Sequence, residues 1–167
     1  MSINNQRRLA ERVGKCLSQQ GLMLVTAESC TGGGLGQAIT AVAGCSVWYD
    51  RGFITYSNIS KCDMLGVSNV TLDQYGSVSE QVAQEMAAGA LHRSHAQVSV
   101  SITGIAGPDG GSATKPVGMI CFAWVMHEGL VCSGTQHFKG DRDAIRRQSV
   151  VSALQGVLSL IQHDATL

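Results

Sequence analysis

The sequence predicts an α/β domain: a three-layer α/β/α sandwich around a mixed sheet. Two observations carry that prediction. Apolar, strand-like runs alternate with amphipathic helical stretches over most of the 167 residues. Late in the chain, two strand-like runs then meet at Glu128-Gly129 with no helix between them, which adds an antiparallel hairpin. Neither linker, repeat nor low-complexity stretch interrupts this order, so residues 1–167 read as one domain.

Taken in order, residues 5–20 carry Leu9, Val13 and Leu17 at four-residue spacing among charges, the pattern of an amphipathic helix that Gly21 ends. Residues 22–25 are apolar and predict the first strand. The turn Thr26-Ala27-Glu28-Ser29-Cys30-Thr31 follows, and a helix is expected over residues 33–43, stopping at Gly44. Residues 47–50 read as a connection, and residues 51–57 as a strand with Phe53 and Thr55 on one face and Ile54 and Tyr56 on the other. Asn58 is placed to cap a short helix holding Lys61, Met64 and Leu65 that Gly66 closes, and residues 69–75 form another. Ser77 and Glu80 have capping-box spacing before a helix that runs to His92 with Val82, Ala83, Met86, Ala87, Ala90 and Leu91 as its stripe.

Val98, Val100 and Ile102 alternate with Ser99, Ser101 and Thr103, a strand signature, and a glycine-rich loop over residues 104–111 follows it. Residues 117–126 are nearly all apolar and read as a central buried strand, with residues 130–138 as its hairpin partner. Asp141 then caps a long helix whose stripe includes Ile145, Val150, Leu154, Val157 and Ile161.

Composition narrows the function. Lys plus Arg and Asp plus Glu both number 12, so no global field draws the chain to nucleic acid or to an anionic membrane. Basic runs interleaved with aromatics are missing too, which argues against a nucleic-acid module. The first twenty residues are polar and charged, without signal-peptide pattern, and no apolar run is long enough to span a bilayer. Six cysteines without a C-x-x-C pair read as reduced thiols, and the expectation is a cytoplasmic protein.

The turn after the first strand concentrates the chemistry. Ser29, Cys30 and Thr31 stand beside Gly32 and Gly33, where backbone N–H groups at a helix start can hold an anion. A serine needs a base. The histidines (92, 95, 127, 137 and 163) fall in helix or hairpin contexts away from the strand ends, whereas Lys61 lies just past the strand that ends near Tyr56. A buried lysine whose pKa falls can serve in place of histidine. An exposed Lys61 and a half-buried structural Tyr56 remain open from pattern alone, as does Cys30 as the nucleophile.

The second glycine-rich loop has neither a Walker nor a G-x-G-x-x-G pattern, yet its N–H groups can form an anion nest or a plain crossover. Lys115, Arg142, Arg146 and Arg147 can neutralise a phosphate. His92 and His95 are three apart on a helix without a third ligand, so no metal site is expected.

Six segments together carry a resemblance. They are Thr26-Ala27-Glu28-Ser29-Cys30-Thr31-Gly32-Gly33, Gly52-Phe53-Ile54-Thr55-Tyr56-Ser57-Asn58, Ser77-Val78-Ser79-Glu80, residues 102–111, Lys115-Pro116-Val117-Gly118 and Phe138-Lys139-Gly140-Asp141-Arg142. In order and spacing, they resemble the CinA C-terminal domain family over nearly the whole chain. The resemblance implies hydrolysis of the carboxamide of nicotinamide mononucleotide to nicotinic acid mononucleotide and ammonia, without a cofactor or metal. It implies Ser29 as nucleophile with Lys61 and Tyr56 as its partners, and a homodimer or higher homo-oligomer. Backbone N–H groups of Thr31, Gly32 and Gly33 are the expected oxyanion donors. Thr103, Gly104, Ile105, Ala106, Gly107 and Arg142 are expected on the phosphate and ribose side. The alternative is a nucleotide-binding regulatory module that has kept the pocket and lost turnover.

Overall fold

The computed structural model describes residues 3–127 and 129–164. Its strands β1 (Leu24–Glu28), β2 (Tyr49–Ile54), β3 (Val98–Gly104), β4 (Met119–Met126) and β5 (Val131–His137) form one sheet in the order β2-β1-β3-β4-β5. β1 lies parallel to both β2 and β3, and β4 and β5 continue the sheet antiparallel. Helices α1 (Ile3–Gln20), α2 (Gly34–Thr40) and α6 (Arg142–Asp164) bury one face of it. Helices α3 (Asn58–Leu65), α4 (Asn69–Tyr75) and α5 (Glu80–His92) bury the other. The α/β/α sandwich predicted from sequence is therefore the fold observed.

Each core has a sequence reason. On the first face, Leu9, Val13 and Leu17 of α1 meet Leu154, Val157 and Ile161 of α6 over Val98, Val100 and Ile102 of β3. On the second, Ala83, Ala87 and Ala90 bring α5 close to the sheet, and its carbonyls take hydroxyls from β3. Ser99 Oγ donates to the Ala87 carbonyl (2.7 Å) and Ser101 Oγ to the Ala83 carbonyl (2.6 Å). Both serines are fully buried, so the alternation in β3 marks two covered faces rather than a dry one and a wet one.

Several boundaries move. β1 begins two residues later than expected and continues through Thr26-Ala27-Glu28, because parallel neighbours on both sides pair those residues. β2 covers residues 49–54 rather than 51–57, which leaves Thr55 and Tyr56 beyond its end. The apolar strand β4 stands next to the edge, and β3 is central. α2 is shorter than expected, since the chain leaves it through a 3-10 turn at Cys45–Val47 entered by Gly44 at φ 78°. The caps of α3 and α5 are Ser57 and Ser79, whose hydroxyls accept from Ser60 N–H and Val82 N–H, not Asn58 and Ser77. Of the expected hairpin turn, Glu128 lies outside the described residues; Leu130 C=O accepts from Met126 N–H at 2.9 Å beside it.

Among the described residues, no helix is long and apolar enough to cross a membrane. The approach of α5 to α3 gives a stability prediction. A Cβ at Gly89 would sit 1.9 Å from the Leu65 carbonyl oxygen, a backbone atom that cannot turn aside. Gly89→Ala is expected to destabilise the fold by about 3 kcal/mol, read as a lower urea midpoint at unchanged slope. An unchanged midpoint would mean that α5 lies farther from α3 than this contact implies.

Candidate active site

Parallel strands place the turns that follow them at one end of the sheet, where α/β proteins form their ligand crevices. Here a cleft of about 440 Å³ opens at the carboxyl ends of β1 and β3. Ser29 comes to it from the end of β1, and Thr103 and Gly104 from the end of β3, followed by Ile105, Ala106 and Gly107. Tyr56 and Lys61 enter from the turn and helix after β2, and Arg142 from the start of α6.

Lys61 is the largest of the fully buried side chains, only 1% exposed. Its burial follows from α3. The Ser57 cap starts that helix, Lys61 N–H donates back to the Ser57 carbonyl (3.2 Å), and the first turn drops the side chain beneath the chain end of β2. Its Nζ donates to the Thr55 carbonyl (2.9 Å) and lies 3.0 Å from Ser29 Oγ. Burial lowers the lysine pKa below its ordinary value of 10.5, with nearby Cys30 and Cys62 acting in the opposite direction. Once the amine is neutral, the same contact lets the Ser29 hydroxyl donate to Nζ, which is how a Ser-Lys pair activates its nucleophile.

Cys30 also lines the cleft, but burial pushes its thiol pKa up to about 12. The thiolate that a cysteine nucleophile requires is therefore suppressed. In the folded protein, iodoacetamide at pH 8 is expected to label the exposed Cys132 and to leave Cys30 unmodified, read by peptide mass spectrometry. Labelling of Cys30 at a rate near that of Cys132 would restore the thiol as a candidate.

The turn that carries Ser29 is held from within. Glu28 is 1% exposed, and its carboxylate accepts Thr31 Oγ1–H (2.6 Å) and the N–H groups of Gly33 (3.1 Å), Leu35 (3.0 Å) and Gly36 (2.8 Å). An internal anion thus occupies the start of α2. The Gly32 and Gly34 N–H groups go to the Ser29 and Thr31 carbonyls, each at 3.0 Å. Of the expected oxyanion donors, Thr31, Gly32 and Gly33 stand outside the cleft lining, and the N–H groups of Gly32 and Gly33 are hydrogen-bonded within the turn. Arg146 grips the same turn from outside, its Nη2 donating to the Thr31 carbonyl (2.8 Å).

Across the cleft, Arg142 donates from Nη1 to the Gly107 carbonyl (2.7 Å) and from Nη2 to Tyr56 Oη (3.0 Å). Tyr56 is 62% exposed with its hydroxyl bonded by Arg142, while Lys61 Nζ donates to the Thr55 carbonyl. Thr103 Oγ1 donates to the Ser77 carbonyl (2.7 Å), which closes the cleft wall. No protein hydrogen bond engages Ala106 or Gly110, whereas the Ile105 N–H donates to the Met119 carbonyl (3.0 Å).

The CinA C-terminal domain family model matches residues 6–161. The chain belongs to the CinA C-terminal domain family. It is 52% identical to the nicotinamide-nucleotide amidohydrolase PncC of Enterobacter agglomerans, over 95% of this chain and 96% of that protein. It is 50% identical to the enzyme of the same name from Escherichia coli K12, over 93% and 94%. Among solved structures, the competence/damage inducible protein CihA from Agrobacterium tumefaciens superposes with a TM-score of 0.91 at 46% identity, over 93% of this chain and 95% of that one.

In this CinA C-terminal domain, then, the predicted residues divide. Ser29, Lys61, Tyr56, Arg142, Thr103 and residues 104–107 converge on one cleft, and Thr31, Gly32 and Gly33 lie behind it. Of the other cations considered from sequence, Lys115 lines the cleft with its ammonium held by the Tyr75 and Val78 carbonyls, whereas Arg146 and Arg147 lie outside. No histidine lines the cleft, and no group of three metal-ligating side chains occurs among the described residues. Glu28 and Thr55 were missed. For Glu28 the signal was available: an acid just before a hydroxyl residue and three glycines that open a helix. For Thr55 there was none, because its contribution is a main-chain carbonyl.

Proposed function

We propose that this chain hydrolyses the carboxamide of nicotinamide mononucleotide, giving nicotinic acid mononucleotide and ammonia, by Ser-Lys acyl transfer. The observation that carries the reading is the buried 3.0 Å contact between Lys61 Nζ and Ser29 Oγ inside the cleft. The substrate is inferred from the nicotinamide-nucleotide amidohydrolases with which the chain shares half of its residues.

Neutral Lys61 takes the Ser29 proton as Oγ bonds to the amide carbon. The tetrahedral intermediate collapses as the C–N bond breaks, and the lysine returns that proton to the departing ammonia. Water then attacks the acyl-serine and Lys61 accepts its proton; as the bond to Oγ breaks, the lysine returns that proton to Oγ to restore Ser29, and the freed acid releases its own proton to solvent as the carboxylate. The Thr55 carbonyl keeps the amine aimed at Oγ throughout. Arg142, with the open N–H groups of Ala106 and Gly110, takes the phosphate side, and Tyr56 lies at the rim to contact the ribose or ring.

The test is ammonia release from nicotinamide mononucleotide by the purified protein, with chelator present and the acid product identified by mass. Release of both products at equal rates supports the proposal. Binding of the mononucleotide without release would instead make the cleft a nucleotide sensor.

A further inference from the structure

From the position of Glu28, we infer that this residue is a positioning residue for both members of the dyad, by separate routes. The inference rests on Ser29 as the nucleophile and Lys61 as its base.

The side chain serves Ser29. Its two carboxylate oxygens collect four donors from the eight residues that follow, beginning with Thr31 Oγ1 and ending with Gly36 N–H. Ser29 and Cys30 are the residues between the last residue of β1 and the first of those donors, so the clamp closes over them. Ser29 N–H is fixed as well, donating to the Ile102 carbonyl of β3 (3.0 Å). With a strand bond on one side and the carboxylate on the other, the Ser29 backbone has little freedom to move its Oγ.

The main chain serves Lys61. The Glu28 carbonyl accepts Thr55 N–H (2.8 Å), and the Thr55 carbonyl accepts from Lys61 Nζ (2.9 Å). A single residue at the end of β1 therefore sets the height of both the nucleophile and the base above the sheet. A plain helix cap does not require this burial. The N-caps of α3 and α4 are Ser57 and Ser68, side chains that start one short helix each, whereas Glu28 is buried beneath the reacting pair.

Glu28→Gln keeps the size but puts an amide N–H₂ against N–H donors, and Thr31→Val removes one donor while leaving the carboxylate in place. Thr31→Ser, which keeps the hydroxyl donor, is the conservative partner of Thr31→Val. The expected result is a kcat about 100-fold lower for Glu28→Gln and about 10-fold lower for Thr31→Val, since a displacement near 1 Å costs rates of this order. KM stays within about twofold, and Thr31→Ser recovers wild-type kcat within about twofold. The acid limb of the rate profile keeps its midpoint, because the main-chain route to Lys61 is untouched.

The same variants are treated with a fluorophosphonate, and phosphonylation of Ser29 is timed by mass spectrometry. This readout counts only folded, reactive sites and does not depend on the physiological substrate. Slower phosphonylation in step with the kcat losses supports the inference, and does so even if nicotinamide mononucleotide proves not to be the substrate. It is overturned by wild-type phosphonylation rates in Thr31→Val and in the folded fraction of Glu28→Gln, or by losses that fall on KM with kcat unchanged.

Discussion

Ser29→Ala is expected to lower ammonia release by roughly 10⁴- to 10⁶-fold while nicotinamide mononucleotide still binds. The size of the effect follows from what the hydroxyl does. In the proposed mechanism it forms the covalent bond in the first half-reaction, and no neighbour can replace it: the Cys30 thiol pKa is pushed up to about 12, and Thr31 has its hydroxyl committed to Glu28. Binding survives because Arg142, assigned to the phosphate side, is held by the Gly107 carbonyl and Tyr56 Oη rather than by the Ser29 hydroxyl. The fold survives because Ser29 is held by its backbone, through Ile102 and Gly32. Continuous ammonia detection gives the rate, and calorimetric titration of the variant gives the affinity. A variant that keeps even a few per cent of wild-type kcat would remove Ser29 from the role of nucleophile.

The prominence of Ser29 in the sequence and the fainter signal of Glu28 have one physical origin. Strands advertise themselves by apolar residues, so the sequence pattern ends β1 at Val25, where the polar residues begin. In the fold, Thr26 and Glu28 are as buried as Val25, because each polar atom finds a partner. Thr26 Oγ1 meets Tyr49 Oη (2.9 Å), and the Glu28 carboxylate meets four donors. A buried carboxylate is tolerable only when it is satisfied in this way, and three of the four satisfying groups are backbone N–H groups that carry no residue label. The same reasoning covers β3, whose serines look solvent-facing until the carbonyls of α5 are placed above them. Patterning thus conveyed the layers and the order of elements. It could not convey which polar residues were wet.

The site was legible to a similar depth. The nearness of Lys61 to Ser29 was open from spacing alone, since a lysine one turn into a helix can face either way; the matched segments pointed it inward, and the 3.0 Å contact agrees with them. The resemblance implies Tyr56 as a partner of Ser29 and Lys61, and the strand expected over residues 51–57 is shorter in the fold. With β2 ending at Ile54, the chain turns, Thr55 supplies the carbonyl to Lys61, and Tyr56 swings outward to Arg142.

Lys61→Met should abolish turnover nearly as fully as Ser29→Ala, and it should also change how stability depends on pH. Both effects come from one cause, a lysine whose pKa burial has lowered. In catalysis, the neutral fraction grows as pH rises through that lowered value, so wild-type kcat/KM climbs along an acid limb with its midpoint below 10.5 and then levels off. For stability, the unfolded chain holds a proton on this lysine up to its ordinary pKa, whereas the folded chain gives it up earlier. Between the two values the unfolded state binds more protons at this lysine, and its contribution to wild-type stability rises with pH. Below the folded value both states are protonated, and the full cost of a buried ammonium is borne by the fold. Methionine has no proton to lose, so the melting temperature of Lys61→Met relative to wild type should increase as pH falls from 10 toward neutrality. Parallel thermal melts across that range read the difference directly. A gap that stays constant with pH would mean that Lys61 titrates as it does in water, and a lysine of that kind would be protonated at neutral pH and unable to take the Ser29 proton.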